Sequence, residues 1–188
     1  MNRAWNAYTV LTHFTVLILI AAIIDAIVHG HFVGAAALGV FAALTMLYIY
    51  KAKAHPAVLD AVLAIMMTLN AIELAWNLYN IPGPYDETAH FYTAFGVTLI
   101  LGYFVSRAMH WSARRAWLYI LIAASIGLSM GALWEIGEWS IDHFNLLSFK
   151  LVSGLDDTVT DMMFDTIGSL MGAVVLYTMQ RQPRKPLT

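Results

Sequence analysis

Apolar runs of bilayer-spanning length recur along nearly the whole of this 188-residue chain. The hydrocarbon core offers no water to satisfy backbone N–H and C=O groups. A run of some twenty apolar residues therefore crosses it as a helix that bonds its own backbone. Composition agrees: 60% of residues are hydrophobic and 12% charged, with a mean hydropathy of +0.68, whereas soluble domains are nearer about a quarter charged. Spans are expected near 8–29, 32–50, 57–79, 88–109, 115–141 and 158–180, an all-α, six-transmembrane-helix bundle forming one domain over 1–188. The links are short. His29-Gly30-His31 joins the first pair, Lys51 to Pro56 the second, and Asn80 to Tyr85 is a strong breaker before the fourth span. Residues 143–156 are the longest connection. The first run is too long for a cleaved signal and no small-residue cleavage site follows it, so it is expected to remain as a helix.

The charges fix how these spans are threaded. With six spans, Arg3, Lys51, Lys53, Arg107, Arg114, Arg115, Arg181, Arg184 and Lys185 fall at one end of the bundle, and Lys150 is the exception. The positive-inside rule then predicts that both termini are cytoplasmic. Tyr and Trp near many span ends suit the interfacial belt. Short juxtamembrane basic clusters serve topology and anionic lipid, and nothing points to nucleic acid.

Eleven of the twelve acids fall at the opposite, outer end: Asp25, Glu73, Asp86, Glu87, Glu135, Glu138, Asp142, Asp156, Asp157, Asp161 and Asp165, with Asp60 alone near the inner face. Glu135 and Asp165 are expected roughly 9–11 Å below their helix ends, and Glu73 at similar depth. At that depth a carboxylate must face protein or a water-filled cavity. Helical spacing gathers these groups. Asp157, Asp161 and Asp165 share one stripe with Gly168 and Gly172; Gly127 and Gly131 lead into Glu135, Glu138 and Asp142; Asn70, Glu73, Asn77 and Asn80 form a third stripe. Asp86 and His90 stand at i, i+4, as do Asp25 and His29. Close approach of Gly127/Gly131 to Gly168/Gly172 is expected to bring the acids of the fifth and sixth helices together.

Several carboxylates in a low-dielectric pocket take up protons or bind a cation. Only Lys150 and the histidines supply positive charge on that side. The set predicted to hold a divalent metal ion is His90, Glu135, Glu138, Asp161 and Asp165, with Glu73 as the candidate catalytic base. A donor set of imidazole and carboxylates favours Zn, Mn or Fe over Ca or Mg. With no cysteine in the chain, thiolate sites and iron–sulfur clusters are excluded, and no haem or copper motif is present. Asp86, Glu87 and Asp157 read as acids favoured at helix N-termini. Asp25, His29 and His31 read as solvated interfacial groups, and His13, His55 and His110 as structural. Residues 144–155 form either an interfacial loop or a lid over the acids.

Three motifs in order carry a resemblance: Tyr85-Asp86-Glu87-Thr88-Ala89-His90-Phe91, then Trp134-Glu135-Ile136-Gly137-Glu138-Trp139, then Asp157-Thr158-Val159-Thr160-Asp161-Met162 followed by Gly168 and Gly172. Together they resemble the YjdF-like family of bacterial inner-membrane proteins. The Asp-xxx-His-Phe helix start alone is also similar to VanZ-type membrane proteins. The likeness spans roughly residues 70–175. It departs at Val159, where the family pattern has Gln. It implies a multi-pass protein of the bacterial inner membrane with these acids and His90 as its site, and it supplies no reaction.

Three function classes fit these residues. One is a metal-dependent membrane enzyme acting on a lipid or amphiphilic substrate. The second is a cation or proton-coupled transporter, weakened because only Asp60 lies in the cytoplasmic half and no inverted repeat is visible. The third is a structural or accessory subunit without turnover. Oligomeric state is not encoded in any pattern here.

Overall fold

The computed structural model describes residues 7–51, 55–76, 84–110, 115–147 and 149–181. They form six helices: α1 (Ala7–Val28), α2 (Phe32–Lys51), α3 (Val58–Trp76), α4 (Tyr85–Ala108), α5 (Ala116–His143) and α6 (Leu155–Arg181). Among the described residues there is no strand, and each helix is long and apolar enough to cross a membrane. Of the residues used to thread the sequence, Arg3, Lys53, Arg114, Arg184 and Lys185 lie outside the described residues. So do Asn77 to Gly83, which include the last three residues of the expected third span.

Two helices begin three residues earlier than the spacing predicts. Pro84 takes the N-cap of α4, and its carbonyl accepts the Thr88 N–H at 3.1 Å. This starts α4 at Tyr85 and puts Asp86 inside its first turn. In α6, Gly154 precedes the helix at φ 141°, a region L side chains rarely enter. The Asp157 carboxylate reaches back to accept the Ser153 N–H at 2.8 Å. That bond confirms Asp157 as an acid serving the helix start. At the α1–α2 turn, Gly30 adopts φ 79°. His31 N–H bonds to Ala26 O at 2.8 Å and Gly30 N–H to Ile27 O at 3.1 Å, the Schellman pattern that ends a helix sharply.

The bundle has two halves. Helices α1–α3 pack together, α4–α6 pack together, and α3 meets α4 between them. Helix α4 touches α3, α5 and α6, and its contact with α6 is the most extensive in the molecule. The register shows the threading. Gly168 and Gly172 of α6 lie against Phe91 and Phe95 of α4, so these helices run parallel. Gly131 of α5 lies on Asp165 and Gly127 on Ser169, so α5 runs antiparallel to α6. The Thr12 hydroxyl of α1 reaches the Asp60 carbonyl near the start of α3. Lys51, Arg107, Arg115 and Arg181 therefore share one end of the bundle, here the basic end. Leu19, Leu38, Leu59, Leu99 and Leu176 are fully buried, while Leu17, Val40, Leu133, Ile136 and Met163 face outward. In a bilayer that outer apolar surface is the lipid face, and packing rather than hydrophobic exclusion holds the helices together.

Asp60 forms its own small network near the basic end. Its carboxylate accepts from the Tyr48 hydroxyl at 3.0 Å and lies 2.7 Å from His55 Nε2, tying α2 to the start of α3. The pairing agrees with the structural role read for His55.

Candidate metal centre

Four helices deliver acids and one imidazole to a single place at the end opposite the basic residues. Helix α3 contributes Glu73, α4 Asp86 and His90, α5 Glu135 and Glu138, and α6 Asp161 and Asp165. Glu135 lies about 12 Å along its axis from the α5 end and Asp165 about 15 Å from the start of α6. All six residues proposed from the sequence are buried, with relative exposures from 2% for Glu73 and Asp165 to 6% for Glu135. The stripes thus converge as their spacing implied, and α3 joins the cluster.

His90 is the hub. Its Nδ1 lies 3.3 Å from Asp165 Oδ1. A carboxylate at this distance suits the tautomer in which Nδ1 is the donor, which leaves the Nε2 lone pair directed elsewhere. Nε2 lies 3.7 Å from both Asp86 Oδ1 and Glu135 Oε1. That is too long for a good hydrogen bond. It is the spacing of neighbouring ligands on one ion: two donors each about 2.1 Å from a metal stand roughly 3–4 Å apart. Two overlapping donor groups contain His90, one with Asp86 and Asp161 and one with Glu135 and Glu138, and within each the ligand atoms lie within 4.8 Å of one another. Glu73 meets Asp86 carboxyl to carboxyl on the α3 side.

The polar accounting also points inward. Buried oxygens of Glu73 (Oε1), Asp86 (Oδ1), Glu135 (Oε1 and Oε2), Glu138 (Oε1) and Asp165 (Oδ2) lack a hydrogen-bond partner of normal geometry. Unmet carboxylate oxygens inside a protein are strongly unfavourable unless protons or a cation compensate them. Imidazole nitrogen plus several carboxylate oxygens is a donor set that could hold a divalent ion, and the group fits one.

Close packing sets the cluster's geometry, although not in the way the glycine stripes suggest. Gly168 and Gly172 were expected to meet Gly127 and Gly131. Instead they pack on the α4 backbone. A Cβ at Gly168 would strike the Phe91 carbonyl, and one at Gly172 would lie 2.7 Å from the Phe95 carbonyl oxygen. Gly131 makes room for the Asp165 side chain itself. A small-residue stripe predicts a close neighbour but does not identify it, and here α4 fills the place expected for α5.

The structure also brings Asp86, whose role the sequence left open, into the cluster beside His90. An acid in the first turn is ordinarily a partner of the helix dipole. The N-cap of α4 is Pro84, with no side-chain cap bond, and Asp86 turns toward His90 one turn below. The signal was present in the i, i+4 spacing with His90.

Asp142 belongs to a different device. Its carboxylate accepts the Leu151 N–H at 2.9 Å to Oδ1 and the Val152 N–H at 2.9 Å to Oδ2. Lys150 Nζ donates to the Asp142 carbonyl at 3.0 Å, which ties this ammonium to the loop after α5. Leu151 is buried. Residues 150–152 are thus strapped onto the end of α5, at the acidic end of the bundle. Asp25 and His29 stay outside the cluster with side chains 52% and 61% exposed, as solvated groups should.

Comparisons with known proteins agree with the motifs. Residues 6–182 match the family described as "Predicted membrane protein (DUF2238)". A protein of Thermotoga maritima described as "Uncharacterized protein" is 31% identical over 94 residues, covering 50% of this chain and 47% of that protein, so the chain matches about half the length of this curated relative. No solved structure matches the chain at a significant level. The family and the YjdF-like resemblance coincide, and this six-helix membrane protein belongs to the DUF2238 family.

Proposed function

We propose that the chain is a metal-dependent enzyme of the bacterial inner membrane, both termini cytoplasmic, acting on a membrane-associated amphiphile at its outer, acidic end. The observation that carries this reading is the pair of buried oxygens without a hydrogen-bond partner, Asp86 Oδ1 and Glu135 Oε1, each 3.7 Å from His90 Nε2. In the proposal His90 binds through Nε2 together with Asp86, Asp161, Glu135 and Glu138. Asp165, counted among the ligands on sequence grounds, holds the Nδ1 proton and so fixes the tautomer and ring orientation, the usual partner of a ligating imidazole. Zn, Mn or Fe suits these donors better than Ca or Mg. A bound ion of this kind would supply Lewis acidity and an activated water. Glu73 is the proposed base: it reaches the cluster through Asp86 and also lines the adjoining cavity, where substrate would sit.

The cavity below the cluster supports an enzyme over a transporter. Below Glu73 it is walled mostly by groups such as Met66, Met67 and Val97, with Asn70 and Thr93 bonded to each other at 2.6 Å, a lining that suits hydrocarbon better than a hydrated cation. The test is lipid turnover by the full chain in detergent, incubated with bacterial lipid extract and followed by mass spectrometry. The reading predicts a product that disappears with chelator and returns with added metal. Glu73→Gln should lower its rate by roughly 10²–10⁴-fold while retaining the metal. Metal-loaded protein that changes no lipid would contradict the enzyme reading and leave a structural cation.

A further inference from the structure

The two halves of the bundle do not close completely. Between them lies a cavity of about 140 Å³, walled by α2, α3, α4 and α5 and capped at one end by Glu73, His90 and Asp165. Apolar cavities of about 150 Å³ exclude water and take up hydrocarbon. This one is lined on two helices by methionine, at Met66 and Met67 of α3 and Met130 of α5, whose unbranched side chain adapts to a flexible occupant.

Its open side faces the bilayer. Among the described residues the backbones of α2 and α5 make no close approach. The gap is bridged by one aromatic pair, Phe41 and Trp134, with ring centroids 5.9 Å apart and planes at 25°. Leu44 and Met130 line the cavity and are also 50% and 43% exposed, so the cavity wall continues onto the lipid face. The polar end lies at His90, about 7–8 Å along α4 from its start, and the apolar part extends to Val97, about halfway along α4. A phospholipid in the leaflet at the acidic end is oriented the same way, with its polar linkage near the surface and its chain pointing to the midplane.

We infer that this cavity binds one acyl chain of a bilayer phospholipid, which enters sideways between α2 and α5 past Phe41 and Trp134 and brings its head linkage to the His90–Glu73 end. The volume suits a single chain segment. Continuity with the lipid face makes bilayer lipid, rather than a soluble ligand, the occupant. This deepens the proposed function by naming its substrate class, and it rests on that reading for the chemistry but not for the binding.

The test uses the full chain in detergent micelles and a phosphatidylethanolamine with a diazirine on one acyl chain. Photolabelled sites are mapped by mass spectrometry as the probe fraction rises, and metal content is measured on the same preparation. Labelling at Met66, Met67 and Val97 should reach a plateau and be competed by unlabelled phospholipid, while labelling at lipid-facing Leu133 and Ile136 rises linearly. Val97→Phe should weaken the saturable labelling roughly tenfold, the scale of one overpacked side chain, without changing labelling at Leu133. If Val97→Phe does not fold, competition in the wild type decides. Labelling confined to outward residues, or cavity labelling that unlabelled lipid does not reduce, overturns the inference. Metal-free protein with saturable cavity labelling would sink the metal reading and leave the lipid site standing. Metal-loaded protein without cavity labelling would overturn the lipid site alone.

Discussion

His90 and Asp165 show how one hydrogen bond assigns roles within a crowded site. Because Asp165 faces Nδ1, the opposite nitrogen is left for Asp86, Glu135 and any ion they share. Removing the charge in Asp165→Asn should lower metal affinity by about 10–100-fold without abolishing binding, as expected for a group that orients a ligand. Competition titration against a metal-sensing dye measures this, and unchanged affinity would remove Asp165 from the proposal. Asp60 is the contrasting case, a buried carboxylate satisfied by Tyr48 and His55. Asp60→Ala should destabilise the fold by about 3–5 kcal/mol, the scale for breaking a buried pair, and leave metal content unchanged. At the residue scale the sequence anticipated the burial of Glu135, Asp161 and Asp165, which lie too deep to be caps. It left Asp86 open, because an acid at a helix start has an ordinary explanation that only the direction of its side chain can weigh against.

Among the elements, the α4–α6 contact carries the site. Gly168 lets α6 press on the Phe91 carbonyl one residue after His90, which sets the distance from His90 to Asp165. Gly168→Ala must push the two helices apart. It should cost about 1–3 kcal/mol, read as a lower melting temperature in detergent, together with weaker metal binding. A full-strength site in that variant would show that the α4–α6 distance does not set it. The helices themselves were legible to within about three residues from hydrophobic length and breakers. Their partners were not, since a glycine stripe fits any helix that can come close. The strap after α5 was legible only as a choice between loop and lid. Asp142→Ala removes the acceptor of the Leu151 and Val152 amides, so those amides should lose protection in hydrogen exchange, while retained protection would mean that other contacts hold the strap.

The whole molecule sorts charge along its axis, with Lys51, Arg107, Arg115 and Arg181 at one end and the carboxylate cluster at the other. The positive-inside rule converts that polarity into an orientation. The chain has no cysteine, so single cysteines test it directly. Ser153→Cys should react with an impermeant maleimide added outside intact cells and Lys51→Cys only after lysis; the reverse pattern would invert the protein and the proposed side of its site. Charge sorting was readable from the sequence because it needs only a span count. The cavity between the halves was not, because it depends on which helices fail to meet. The central claim, that this cluster holds a metal, is tested most directly by elemental mass spectrometry of detergent-purified protein, wild type beside Glu135→Gln and Asp161→Asn. A near-stoichiometric transition metal is expected in the wild type and is lost or sharply reduced in both variants. A folded wild type free of metal after growth and purification in metal-replete, chelator-free conditions would contradict it and leave protons as the charges that balance these carboxylates.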